Sequence, residues 1–209
     1  MTVGGFLTIK NPIKRQDPFI ECISCMVDFL DEILIVDAFS TDRSIEKIKE
    51  LFGDKVKIIK NEWNEEFDWK HIGKTFTFGY KNCDSDFVIR FDCDYLLHED
   101  DFDAIREFLE TCDAPVACFP KRQFLKADRY SVKAILPIAY NKKEYGNRIK
   151  LDSGGDLCQP SLDGKEINKD EMPIVARKIP TVVAPNVTQE QKEKRLGRAF
   201  IENGITYTY

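Results

Sequence analysis

The 209-residue chain has no apolar run approaching the roughly 18 residues that a membrane-spanning helix requires. Its opening residues, Met1 to Ile9, show no basic segment leading into a signal core. The expectation is therefore a cytoplasmic protein with no transmembrane segment, for which peripheral membrane contact stays open. A basic surplus is also missing: 31 Lys and Arg against 36 Asp and Glu leave a formal charge of −5. That argues against a general nucleic-acid binder, whose surface carries a basic stripe. It does not argue against a small anionic substrate, which needs only a few local cations or a metal. The seven cysteines are scattered and odd in number. The only Cys-X-X-Cys, Cys22 to Cys25, lies in a helical pattern without a second pair, so buried reduced thiols fit better than zinc. Asn186-Val187-Thr188 has the form of a glycosylation sequon but no secretory signal to give it meaning. The chain has no internal repeat and no low-complexity segment, and its length suits one domain with a real core.

What is present is an alternation. Val3–Ile9 reads as a first strand, ended by Lys10-Asn11-Pro12. Pro18–Leu30 has helical spacing, with Asp17 as N-cap and Pro18 at the first helical position. Glu32–Asp37 is a short apolar strand, and Ala38–Ser44 a turn rich in capping residues. Ile45–Phe52 is amphipathic and stopped by Gly53. Val56–Ile59 reads as a third strand, Asn61–Lys74 as a polar, aromatic loop, and Thr75–Cys83 as a short helix. Asp86–Phe91 is the fourth strand and His98–Thr111 the next helix, with acidic residues in its first turn. Strand and helix alternating four times predict an α/β fold, with a mostly parallel, Rossmann-like central sheet covered by helices on both faces.

The second half changes character. Val116–Phe119 and Tyr130–Tyr140 are β-like, Asn141–Lys150 is basic and turn-like, and Pro180–Pro185 is extended. Thr188–Glu202 reads as a charged helix, in which Lys192, Lys194, Arg195 and Arg198 form a basic face. Solvation is the plain role for that face; contact with an anionic acceptor or a membrane surface is the sharper one. Ile205–Tyr209 is a β-like string that reads as cut rather than finished.

Three carboxylates fall at strand ends. Asp37 closes the second strand, and Asp92 and Asp94 follow the fourth. Open α/β sheets bind ligands at the carboxyl ends of their strands. On an extended chain Asp92 and Asp94 point to the same side and repel unless a cation lies between them. Mg²⁺ or Mn²⁺ would serve, since hard ions take oxygen ligands and bridge phosphates. The plain alternative is that both aspartates begin the next loop.

Val36-Asp37-Ala38-Phe39-Ser40-Thr41-Asp42-Arg43-Ser44 resembles the "VDDGSTDGT" stretch of family 2 glycosyltransferases. Phe91-Asp92-Cys93-Asp94 resembles their "DxD", about 55 residues further on. The resemblance covers roughly residues 3 to 110. It implies a GT-A type fold over a single domain, residues 1–209. In that domain 1–110 would hold the nucleotide sugar and 111–209 would face the acceptor. The implied activity is metal-assisted, inverting transfer of a sugar from a nucleotide-diphosphate donor to a hydroxyl of a glycan, lipid or protein. By the same resemblance Thr8 and Asn11 lie near the base, and Asp37 accepts from it. Asp92 contacts ribose or metal, and Asp94 is the main ligand of Mn²⁺ or Mg²⁺. The Arg-Asn pair usual in the family is absent, which leaves Lys74 as the cation for a phosphate. Ala38-Phe39 replaces the acidic-glycine pair.

Inverting transfer needs a base for the acceptor hydroxyl. A carboxylate of the second half suits this. Asp156, after Gly154-Gly155, where an acceptor has room to approach backbone, is the first choice, and Asp152 the second; both also read as turn aspartates. His98 reads as an exposed helix start before a metal ligand, and His71 as a phosphate contact or a plain loop residue. Trp63 and Trp69 would stack on a sugar or base, or cover a core edge. Two other functions compete. A sugar-phosphate nucleotidyltransferase would want a glycine-rich basic loop after the first strand, but Lys10–Arg15 has no glycine. A non-catalytic nucleotide-sugar or glycan-binding module would keep the donor half alone.

Overall fold

The computed structural model describes residues 1–63, 69–126, 129–152, 159–174, 182–185, 199–202 and 205–208. For residues 69–70, 121–126, 129–135, 169, 182–185, 199–202 and 205–208 it describes the backbone alone. In chain order the elements of the first half are β1 (Val3–Ile9), the single turn α1 (Pro12–Arg15), α2 (Phe19–Phe29), β2 (Glu32–Asp37), α3 (Ser44–Phe52), β3 (Lys57–Lys60), α4 (Trp69–Asn82), β4 (Phe87–Phe91), β5 (Leu96–Leu97) and α5 (Phe102–Thr111). There follow β6 (Val116–Lys126), β7 (Arg129–Asn141), α6 (Lys142–Tyr145), β8 (Ile149–Lys150), β9 (Ser161–Leu162), β10 (Lys165–Glu166), β11 (Val182–Pro185), β12 (Ala199–Glu202) and β13 (Ile205–Thr208).

The main sheet runs β3-β2-β1-β4-β7-β6-β11-β5. Its first four strands are parallel, with β1 between β2 and β4. The antiparallel β6–β7 pair then extends the sheet from β4. The two-residue period of a strand divides the core. Val3, Leu7, Ile9, Ile33, Ile35, Phe87, Ile89 and Phe91 join Phe19, Ile23 and Met26 of α2, Ile48 of α3, and Ile105 and Leu109 of α5. The alternate residues Phe6, Leu34, Val36 and Val88 join Phe76 and Tyr80 of α4. Both faces are covered, as the continuous apolar strands predict.

The amino edge of the parallel strands is braced by charge. One oxygen of Glu32 accepts from the Asp84 amide at 2.7 Å, the Ser85 amide at 3.0 Å and the Ser85 hydroxyl at 2.8 Å. Lys142 donates to the carbonyls of Tyr80, Lys81 and Cys83, the cation a helix C-terminus favours.

Some local expectations need correction. The loop predicted over 61–74 stops short, because α4 begins at Trp69. Its apolar residues Ile72, Phe76 and Tyr80 sit on one helical face, which the polar and aromatic residues before it obscured. Pro18, not Asp17, occupies the N-cap of α2, without a side-chain bond; Asp17 instead pairs with Arg15 at 3.0 Å. The helix predicted over 188–202 fails at its end, where Ala199–Glu202 pairs antiparallel with Ile205–Thr208. Lys192, Lys194, Arg195 and Arg198 lie outside the described residues.

Helix α4 sits close on β1 because Gly79 has no side chain: a Cβ there would lie 2.5 Å from the Phe6 ring. Helix propensity alone favours alanine at such a position by about 1 kcal/mol. Overpacking opposes it with about 1–3 kcal/mol. Gly79→Ala is expected to lower stability in urea unfolding, and a raised midpoint would refute this close seating.

Candidate functional site

The carboxyl edge of the parallel strands is held by hydrogen bonds between loops. Asn11, in a left-handed conformation (φ 50), follows β1. Its amide donates to the Ser40 hydroxyl at 2.9 Å, and its side-chain carbonyl accepts from the Thr41 amide at 2.7 Å. The Lys14 amide donates to Asp42 at 2.9 Å, and the Ser44 amide donates to the other Asp42 oxygen at 3.1 Å. Burial works against the Asp42 charge, but these amides prevail and hold its carboxyl below the usual range. The loops after β1 and β2 thus form one unit.

Asp37 stands behind that unit, only 1% exposed. Its Oδ1 accepts from the Ser40 amide at 2.9 Å. Its other oxygen makes no hydrogen bond to protein among the described residues, so it is available as an acceptor. The Asp37 carbonyl accepts from the Asn61 amide at 3.0 Å, and Asn61 Nδ2 donates to Thr75 of α4 at 3.4 Å. Thr8 is buried on β1, paired with Val36.

Asp92, Cys93 and Asp94 form the turn after β4, closed by the Tyr95 amide on the Asp92 carbonyl at 2.9 Å. Asp92 and Asp94 are half-buried. Two thiols fix the turn from below. Cys22 donates to the Asp92 carbonyl at 3.4 Å, and Cys93 donates to the Thr8 carbonyl at 3.8 Å. Burial pushes both thiols well above their ordinary range, so they remain protonated donors. The Tyr95 phenol is pushed up in the same way, first by burial and then by the Asp92 charge. Among the described residues no group of three or more His, Cys, Asp or Glu side chains is disposed to hold a metal. A metal there would take its remaining ligands from substrate and water.

The structure brings Thr8, Asn11, Asp37, Asp92 and Asp94 to one edge. Since β1 separates β2 from β4, the ends of those two strands lie roughly 10 Å apart. Lys74 is exposed on α4. Asp152 is half-buried beside α4. The Leu151 amide donates to Thr77 at 2.9 Å, and a Cβ on Gly73 would lie 2.8 Å from Asp152 Cα. Asp156 lies outside the described residues. His71 bonds the Glu62 carbonyl at 3.1 Å. His98 accepts from the Asp100 amide at 3.3 Å, an exposed cap as the plainer reading had it. Trp63 is half-buried.

Sequence reasoning passed over Arg90. This cation is buried in β4, its guanidinium 4.6 Å from the centre of the Phe76 ring. The available signal was a charge inside an otherwise apolar strand, two residues before Asp92.

A family model described as "Glycosyl transferase family 2" matches residues 14–161. The chain belongs to glycosyl transferase family 2. Solved structures agree in fold. Staphylococcus aureus TarS 1-349 in complex with UDP-GlcNAc superposes with a TM-score of 0.65 at 13% identity, covering 92% of this chain and 61% of that one. TarS 1-349 without a named ligand gives a TM-score of 0.63 at 13% identity, covering 88% and 60%. A longer TarS structure gives 0.56 at 13% identity, covering 89% and 37%. The chain therefore spans about three fifths of the TarS 1-349 chains, and at this identity the likeness speaks for the GT-A fold alone. Comparison with curated proteins gives no match. Among the described residues no helix is long and apolar enough to cross a membrane.

Asp42 gives the loop unit a pH dependence. Its folded pKa lies below the unfolded value of about 3.9. The stability it contributes is therefore full above that value and lost as pH falls through the folded one. Asp42→Asn is expected to be less stable than the parent at pH 7, with the gap narrowing below about pH 4. Urea midpoints at pH 7 and pH 3 check this; a gap independent of pH would contradict it.

Proposed function

We propose that this protein transfers a sugar from a nucleotide-diphosphate donor to an acceptor hydroxyl, with metal assistance and inversion at the anomeric carbon. The observation that carries this reading is the convergence of buried Asp37 and the Asp92–Asp94 turn on the carboxyl edge of a β3-β2-β1-β4 parallel sheet. A nucleoside diphosphate laid across the end of β1 would have its base at Asp37 and its diphosphate at Asp92 and Asp94.

In this reading the available Asp37 oxygen accepts an N–H of the base. Thr8 lines that pocket, and Asn11 serves it indirectly by holding Ser40 and Thr41. Asp94, with Asp92, would hold Mn²⁺ or Mg²⁺, and two carboxylates suffice where the substrate phosphates complete the shell. Such an ion would neutralise charge on the departing diphosphate. Asp92 would also accept from a ribose hydroxyl, and Lys74 is the candidate cation for a phosphate. Asp156, or Asp152 beside α4, takes the proton of the acceptor hydroxyl. The acceptor oxygen then bonds to the anomeric carbon from the face opposite the diphosphate, and the carbon–oxygen bond to phosphate breaks.

The division of labour follows: residues 1–110 hold the donor and 111–209 face a glycan, lipid or protein acceptor, within one GT-A unit. Cytoplasmic location, with peripheral membrane contact, is part of the same proposal. UDP-sugars are the first donors to try, since the TarS structure that this chain resembles carries UDP-GlcNAc.

The test follows release of nucleoside diphosphate from a panel of nucleotide sugars with Mn²⁺, with and without acceptors. Release should require metal and fall about 100-fold or more in Asp94→Ala. Substituting the true base, Asp156→Asn or Asp152→Asn, should lower kcat about 10²–10⁴-fold with donor affinity unchanged. Metal-dependent donor binding without turnover across a broad acceptor panel would make the protein a binding module instead. Donor binding that survives both Asp92→Ala and Asp94→Ala would remove the basis of the metal assignment.

A further inference from the structure

The turn after β2 holds left-handed backbone at two residues that carry side chains, Phe39 (φ 57) and Arg43 (φ 67). In the "VDDGSTDGT" pattern both positions are glycine. Glycine adopts this conformation freely, whereas a Cβ crowds the following carbonyl. Here both positions carry a Cβ in that conformation and bear the strain.

At Phe39 a second penalty is added, because this large apolar residue is 53% exposed. A phenyl ring that fills no core and sits on disfavoured backbone calls for a partner. Its surroundings indicate which kind. Phe39 lies two residues past Asp37, whose second oxygen is available as an acceptor. Lys60 is the register partner of Asp37 on β3, and its ammonium lies 5.2 Å from the centre of the Phe39 ring. An apolar π face and a cation therefore meet on the carboxyl edge, two residues along the chain from a buried acceptor. A phosphate would find nothing to bond on a phenyl ring. A flat heterocycle finds a face to stack on and an acceptor for its edge.

We propose that Phe39 is the platform on which the base of the nucleotide donor stacks, backed by Lys60. This rests on the nucleotide-sugar reading above and adds a binding residue that the family pattern, with glycine there, does not contain. Stacking depends on the flat face of the base and not on its edge, so Phe39 strengthens binding of any nucleoside diphosphate, while Asp37 reads the edge.

The test is calorimetric titration of the full chain with UDP, GDP, ADP and CDP in Mn²⁺, and with pyrophosphate, which has no base. Phe39→Leu and Phe39→Gly are expected to raise the Kd of every nucleotide that binds by about tenfold or more. Phe39→Trp should retain affinity, and pyrophosphate should bind all four proteins alike. Phe39→Gly should not lower the Tm, because it relieves the left-handed strain; loss of affinity in an equally stable protein is a result that a purely structural role would not give. Arg43→Gly relieves the same strain and should leave nucleotide affinity within about twofold. Nucleotide affinity unchanged in Phe39→Leu overturns the platform and leaves the nucleotide-sugar reading standing. So does a loss shared equally by pyrophosphate, or one matched by Arg43→Gly, since either places the effect in the loop or the cation. A parent protein that binds none of the four nucleotides overturns both.

Discussion

The parallel pairing of β1 with β2 on one side and β4 on the other is the constraint from which the site follows. Ile9 lies opposite Asp37, and Leu7 opposite Phe91. With both registers fixed, Asp37 and the Asp92 turn must emerge on the same edge, one strand apart. A shift of one residue in either pairing would turn every side chain of that strand to the other face. Such a shift would set Phe6, Leu34 and Val88 against the α2 side and leave α4 without a core. The two apolar faces thus defend the geometry of an edge to which they contribute no polar atom.

How much of this is legible in the sequence depends on the range of the interaction. The first four strands and the helices between them are readable because apolar runs and helical spacing are local signals, and each carboxylate at a strand end could be placed from them. The start of α4 was hidden because Trp69 and Lys70 follow a polar, aromatic stretch, and the helix is recognised only by the face it buries on β1. The strand at Ala199–Glu202 depends on pairing across a turn with Ile205–Thr208, whereas its charged flank reads locally as helix. At the site, the aspartates were visible as residue types at strand ends. The role of Asn11 was not, because its bonds reach Ser40 and Thr41 about thirty positions away. The support of the Asp92 turn by Cys22 was hidden for the same reason, at a separation of seventy positions.

Helix α4 connects the two halves of the chain at the site. Thr75 on one of its turns bonds Asn61, which in turn bonds the Asp37 carbonyl. Thr77 bonds the Leu151 amide, and Gly73 leaves space for Asp152. A single element therefore sets the separation between Asp37 of β2 and the carboxylate-bearing segment at 151–152. Its seating on β1 through Gly79 and Phe6 consequently matters for that separation as well as for stability, since a displaced α4 would carry the 151–152 segment with it.

The two edges of the sheet are braced by different chemistry. At the amino edge ionised groups are spent on backbone: Glu32 on the Asp84 and Ser85 amides, Asp31 on Val3 and Arg106, Lys142 on the last carbonyls of α4. At the carboxyl edge most of the bracing is neutral, from the Asn11 amide side chain, the Ser40 hydroxyl and the Cys22 and Cys93 thiols. A neutral brace holds a loop without placing a fixed charge beside a ligand, and a protonated thiol does so from within the core. The turn at Asp92 is thus held through its backbone, by the Asp92 and Thr8 carbonyls and not by its carboxylates. Asp42 and Asp37 add charged braces here, Asp42 on the Lys14 and Ser44 amides and one Asp37 oxygen on the Ser40 amide.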